Sequence, residues 1–167
     1  MNWYKISQAE TSQSKITLEM VNNPNCPPEI LVEVLRMGKD DWVSRYAAKN
    51  HNCPPETLAE VLRRGNDDGV SYSAYNNDNC PIEEKWIWKN TVIDPLGFLN
   101  YVDDPPEIKN NPKIVKVVKI YLIEILNEYI RKHLFTIRDK VKIKKLIDLF
   151  SDKDFIISLY KNKIEEL

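Results

Sequence analysis

The sequence predicts an all-α protein: a short α-solenoid of two-helix repeats about 27 residues long, followed by a C-terminal helical bundle. Three observations carry this reading. Asn25–Asn50 and Asn52–Asn77 agree at 17 of 26 aligned positions, offset by 27 residues. Within each copy the apolar residues recur at helical spacing, and a glycine and an aspartate pair separate two such stretches. From Pro112 the repeat stops and longer amphipathic segments take over. The expected domains are therefore 1–111, a helical repeat domain with degenerate ends, and 112–167, a helical bundle packed on its end.

The first helix of each copy opens at "CPPE". Its prolines occupy the first turn, where a missing N–H removes no helical hydrogen bond. Glu29 follows Cys26 by three residues and Glu56 follows Cys53 likewise, the reach-back position of a capping box. Leu31, Val34 and Leu35 form an i, i+3, i+4 stripe that Leu58, Val61 and Leu62 repeat. Gly38 and Gly65 stand where a helix ends on a left-handed residue. Asp40–Asp41 and Asp67–Asp68 then offer an N-cap to a shorter second helix. Val43/Val70 and Ala47/Ala74 face inward along it, and Asn50/Asn77 close it. One such pair of helices cannot enclose its own apolar stripe, so each copy is expected to bury the stripe of the next.

The pattern decays in both directions. Ile16, Met20 and Asn23 precede Val43, Ala47 and Asn50 by 27 residues, so 1–24 reads as a worn cap whose last helix survives. "NCPIEEKWIWKN" keeps the start signal but carries Lys85 and Trp88 where the preceding copy has Leu58 and Val61. "DPPEI" at Asp104–Ile108 restarts on a spacing of 24 between Pro81 and Pro105. Beyond Pro112, Val117, Val118, Tyr121, Leu122, Ile125, Leu126, Tyr129 and Ile130 predict a helix buried on more than one side. An amphipathic helix follows, with Ile137, Val141, Leu146, Ile147 and Phe150 inward, and Ser151 is expected to cap the last one.

The start signal, the aliphatic run, the Asp pair, the alanine-containing short helix and the closing Asn resemble the leucine-rich repeat variant, a relative of HEAT-like α-solenoids. The resemblance covers roughly residues 16–90. It implies a right-handed array of paired helices, the second short or 3-10, and a scaffold or interaction role. That family's usual period is shorter than 27, nearer the 24 found later in this chain, which points to a true α-helix as the second element. A founding member of the family carries an iron–sulfur cluster on a separate cysteine cluster. Nothing in this sequence matches that cluster, so the cofactor is not implied here.

Composition narrows the function. The 167 residues carry a formal charge of −1, which gives no overall attraction to nucleic acid or anionic lipid. The balance is uneven: 11 Lys/Arg face 17 Asp/Glu in 1–111, against 13 and 8 in 112–167. No apolar leader opens the chain and no segment is apolar enough to span a bilayer. Three cysteines, an odd number, suit a reducing, cytoplasmic setting.

Candidate chemistry is sparse. Cys26, Cys53 and Cys80 hold equivalent positions, one per repeat. Helix layers lie about 8–10 Å apart, whereas zinc requires each sulfur at about 2.3 Å, so no metal site is expected. His51 lies in a turn that reads differently in each copy, which argues against a Cys/His nucleophile. The acidic residues are periodic caps rather than a desolvated catalytic pair, and no phosphate-cradling glycine loop occurs. No catalytic residue and no cofactor are therefore expected. Where the two copies differ, the second helices gain aromatic residues and arginine: Trp42, Arg45, Tyr46, Tyr72 and Tyr75. Trp, Tyr and Arg are enriched at binding hot spots, so these five form the candidate partner-binding surface.

The expected function is a non-enzymatic protein–protein interaction scaffold that works without cofactor or membrane. One alternative is a nucleic-acid-associated protein using the basic run Arg138–Lys145. The other is a structural subunit of a larger assembly, such as a viral or phage part.

Overall fold

Helix ends in the repeated segment follow from a few fixed residues. The computed structural model describes residues 16–132, 137–152, 154 and 156–160, without the side chains of 129–132, 137 and 138. All regular structure among the described residues is helical. Helix α1 (Leu18–Asn22) begins at Thr17, whose hydroxyl accepts the Met20 N–H. The earlier part of the expected cap, 1–15, lies outside the described residues.

Helices α2 (Pro28–Arg36) and α4 (Pro55–Arg63) start one residue into the Pro-Pro pair, as a proline at the first helical position favours. The expected capping boxes do not form. Pro27 and Pro54 occupy the N-cap, and neither has a side-chain cap hydrogen bond. The cysteines therefore fall one residue short of the cap, and Glu56 turns instead to Arg63, 2.6 Å away. Both helices end on glycines with φ of 67° and 70° at Gly38 and Gly65, a conformation that costs other residues a Cβ clash.

The second helices, α3 (Trp42–Lys49) and α5 (Gly69–Asn76), are true α-helices of 8 residues each. Asp41 and Asp68 cap them, each accepting a backbone N–H at 2.8 Å from Ser44 or Ser71. The inward stripes lie where the periodicity sets them, except that Val43 is only half-buried. Leu31, Val34, Leu35, Leu58, Val61 and Leu62 are at most 3% exposed. Ala47, Ala48 and Ala74 are fully buried, so α3 and α5 pack closely.

Successive copies are joined by asparagine side chains. Asn50 Nδ2 donates to the carbonyls of Val21 and Asn23 at 2.7 and 2.9 Å. One period later Asn77 Nδ2 donates to Ala48 and Asn50 at 2.8 and 2.9 Å. The Oδ1 of each accepts the N–H two residues ahead, on Asn52 and Asn79. Asn52 and Asn79 reach back in turn, to Pro24 and Cys26 and to His51 and Cys53. On the other row, α4 meets α6 (Ile82–Trp88) through Arg63, which pairs with buried Glu84 at 2.6 Å.

The chain divides between Trp88 and Lys89 into two compact units, ahead of the compositional change at Pro112. In the second unit a π-helical turn (Lys89–Ile93) leads to a 3-10 segment (Gly97–Asp103), α7 (Pro106–Lys109), α8 (Pro112–Lys132) and α9 (Ile137–Phe150). A short helical stretch occupies 156–160. Phe98 and Tyr101 from the 3-10 segment are buried, against Tyr121 of α8 and Phe150 of α9 respectively. Helix α8 buries a single stripe, Ile114, Val118, Leu122 and Leu126, while Ile120 is 44% exposed. Burial on several sides, expected from its composition, is thus replaced by one stripe with half-buried flanks at Val117, Tyr121 and Ile125; the side chains of Tyr129 and Ile130 lie outside the described residues. On α9, Ile143, Leu146, Ile147 and Phe150 point inward, whereas Val141 is 53% exposed, against expectation. Asp154, not Ser151, caps the last stretch, its carboxylate accepting the N–H groups of Ile156 and Ile157.

These contacts rank three substitutions. Asn77→Asp keeps the shape and the acceptor but removes both donated hydrogen bonds, and should cost about 2–4 kcal/mol. Leu58→Ala should cost about 2–5 kcal/mol through the cavity it opens. Glu56→Ala, which loses only a surface ion pair, should cost less than about 1 kcal/mol. Urea unfolding of the three variants checks the order.

Candidate interaction surface

The five aromatic and arginine positions separate into two groups with different surroundings. Trp42 is the first residue of α3 and stands 66% exposed. Tyr46 follows one turn on, with ring centroids 6.5 Å apart. Beneath Trp42 lies the Arg45 guanidinium, 5.2 Å from the ring centroid. Arg45 is held by a two-pronged contact to Asp40, with Nε and Nη2 each 3.0 Å from a carboxylate oxygen. The Asp40 contact keeps Arg45 firmly protonated, with Asp68 adding attraction, and Arg45 holds the Asp40 carboxyl below its ordinary range. Across the helix pair the guanidinium lies over Gly69, where any Cβ would collide with it. The difference between Trp42 in one copy and Gly69 in the next falls where the Arg45 side chain lies, and a larger residue at 69 would require the end of that flexible side chain to move.

Tyr72 and Tyr75 sit on α5 with a different neighbour. Tyr72 meets Trp88 edge-on at 5.0 Å, and Tyr75 tilts against the same indole at 5.5 Å. Trp88 is 2% exposed and donates its Nε1–H to the Asn66 carbonyl at 2.9 Å. The tyrosines cover this indole, although Tyr72 itself remains 44% exposed. The structure brings Trp42, Arg45 and Tyr46 together on α3, and Tyr72 and Tyr75 together around Trp88. Sequence reasoning missed Asp40, Gly69 and Trp88 as parts of these clusters. The signal for Trp88 was present, since an indole replaces Val61 just where α5 gains its tyrosines.

Among the described residues, the groups capable of chemistry are withdrawn or scattered. Cys26, Cys53 and Cys80 are free and no more than 5% exposed. Burial pushes the Cys53 thiol up to about 12 and the Cys80 thiol to about 11, and it raises Cys26 as well. A thiol held protonated is a weak nucleophile. His51 is exposed and engages through its carbonyl, which accepts from Asn79; His133 lies outside the described residues. Among the described residues no three His, Cys, Asp or Glu side chains cluster in a way that could hold a metal ion. No described helix is long and apolar enough to cross a membrane.

The basic run divides as well. Lys142 turns to Asn100, 2.6 Å away, while Lys144 and Lys145 are exposed. The side chain of Arg138 lies outside the described residues. Comparison with protein-family models, with curated proteins and with solved structures finds no match to this chain.

Two expectations follow. Tyr72→Ala combined with Tyr75→Ala uncovers Trp88 and should lower unfolding stability by about 2–4 kcal/mol, while Trp42→Ala should stay within about 1 kcal/mol of the parent. Thermal and denaturant melts separate the two. For the thiols, folding holds a proton that the unfolded chain releases above 9.0, the ordinary value. Their contribution to stability is therefore intact below pH 9.0 and declines as pH rises toward about 12. Iodoacetamide at pH 9 should modify Cys53 rapidly in urea and slowly in the native protein, as mass spectrometry of the labelled peptide would show.

Proposed function

We propose that this chain is a non-enzymatic protein–protein interaction module whose two-helix repeats stack as a short α-solenoid, right-handed as the leucine-rich repeat variant resemblance implies. Hydrogen bonds that recur at an offset of 27 residues, from Asn50 to Asn23 and from Asn77 to Asn50, support the stacking. The observation that carries the interaction role is Trp42, an indole 66% exposed that lies against the Arg45 guanidinium. Tryptophan is among the residue types most enriched at interface hot spots, and this one presents most of its ring to solvent. Together with Tyr46 it offers a partner an aromatic anchor beside a cation whose own charge is balanced by Asp40. Tyr72 extends the same row with its exposed edge, and Tyr75 contributes by holding Trp88 beneath it. The buried, protonated thiols suit a reducing compartment such as the cytoplasm.

Affinity capture from the native cell, with the parent and three variants compared by quantitative mass spectrometry, tests this reading. Trp42→Ala with Tyr46→Ala should deplete specific partner proteins by about tenfold or more, the loss expected when an interface hot spot is truncated. Nuclease treatment should leave those partners in place, and Lys144→Glu with Lys145→Glu should retain them. Loss of the partners on nuclease treatment, or only in the lysine variant, would transfer the function to the nucleic-acid alternative. Tyr72→Phe keeps the aromatic cover on Trp88 and serves as the control for folding.

A further inference from the structure

Two exposed surfaces of this chain, one in each unit, have opposite charge and similar apolar texture. The first is an open groove of about 680 Å³ along α2. Pro28, Val32, Met37 and Pro54 supply its apolar lining, and Glu29 and Glu33 stand beside them with Arg36 at the far end. Met37 is 47% exposed, and Val32 is only half-buried, whereas Ala59, the equivalent residue of α4, is fully buried. Arg63, the equivalent of Arg36, is occupied by Glu56 and Glu84. Helix α2 thus keeps open a strip that α4 does not.

The second surface is the outward face of α9. Val141 and Leu149 are 53% and 45% exposed there, and Lys144 and Lys145 lie exposed between them. These positions fall at i, i+3, i+4 and i+8, a single face of a helix. The opposite face, with Ile143, Leu146, Ile147 and Phe150, is buried within its own unit. An outward stripe of aliphatic groups and lysine is not needed to fold α9.

We propose that a second copy of this chain lays α9 into the α2 groove. The dimensions agree: Val141 to Leu149 spans about 12 Å along a helix, and Pro28 to Met37 about 13 Å. The charges agree too: Glu29 and Glu33 stand along the groove, and Lys144 and Lys145 stand exposed on the outward face of α9. The whole chain carries the same bias, acidic over 1–111 and basic over 112–167. A groove on one copy and a helix on another are different surfaces, so the contact closes reciprocally within a pair or runs onward into rings and open chains.

Sedimentation velocity on the purified full-length chain, treated with nuclease, tests the contact. The mean mass should rise with protein concentration at about 0.05 M salt and fall toward the monomer at about 0.5 M, since screening weakens exposed charge pairs. Glu29→Lys with Glu33→Lys, and separately Lys144→Glu with Lys145→Glu, should each weaken association by about tenfold or more. Mixing the two variants should restore it, because each reversed surface then meets a complementary one on the other chain. Circular dichroism checks that both variants fold, and Met37→Lys with Leu149→Glu repeats the exchange at apolar positions if either does not. A parent that stays monomeric at every concentration and salt overturns the proposal. So does association that survives both reversals, or variants that fail to restore each other on mixing. Assembly that disappears on nuclease treatment assigns the lysines to nucleic acid instead.

Discussion

A buried carboxamide that donates twice sets the relation between consecutive copies. Asn77 is 6% exposed, and three of the bonds its side chain can make are used, two to carbonyls of the preceding copy and one to its own turn. Asn50 does the same one period earlier. The carbonyls they satisfy belong to the ends of the second helices, where helical partners run out. Sliding one copy against the next would leave a buried amide and buried carbonyls without partners, at a cost comparable to a large share of a small domain's stability. Apolar contacts alone tolerate such slippage, because one leucine packs nearly as well on another. Directional bonds do not.

This constraint explains why the second helices are written in small residues. For the Asn side chains to reach back, α3 and α5 must approach closely, and Ala47, Ala48 and Ala74 permit it. The first helices obey a looser rule and are joined further out, where Arg63 ties α4 to Glu84 of α6. Glu84 is the one buried acid among the described residues, and its pairing with a partly exposed guanidinium keeps its charge from being isolated. The cysteines belong to the same economy of space. They fill the turn between copies as compact apolar groups, and their backbone N–H groups bond to Asn23, Asn50 and Asn77.

Much of this was legible in the residues, and the misreadings have physical causes. Gly38, Gly65, Asp41 and Asp68 act within one turn of themselves, so their conformations and caps follow from the local sequence. The capping box failed because a second proline displaces the helix start by one residue and leaves the cysteine outside it. Asn50 and Asn77 looked like helix stops, which they are, but their side chains act 27 to 29 residues away, and periodicity cannot show direction. The same limit hid Trp88, whose companions Tyr72 and Tyr75 lie on another helix across a loop. Val141 shows the converse error. Its spacing allowed an inward position, but inward sites on α9 were filled by Ile143 and Leu146.

Arg45 resting on Gly69 has a consequence for how such a chain could lengthen. Tandem duplication is the simplest way to add copies, and an inserted duplicate meets the same neighbours as the original. If the first copy were duplicated, the position facing Arg45 would hold a tryptophan in place of glycine, and the end of the arginine side chain would have to move aside. Duplicating the second copy raises no such conflict, because Tyr72 rather than arginine would face the new glycine. The two copies are therefore not interchangeable modules despite 17 shared residues. A duplicated second copy would leave the Arg45 side chain where it lies, whereas a duplicated first copy would require it to shift.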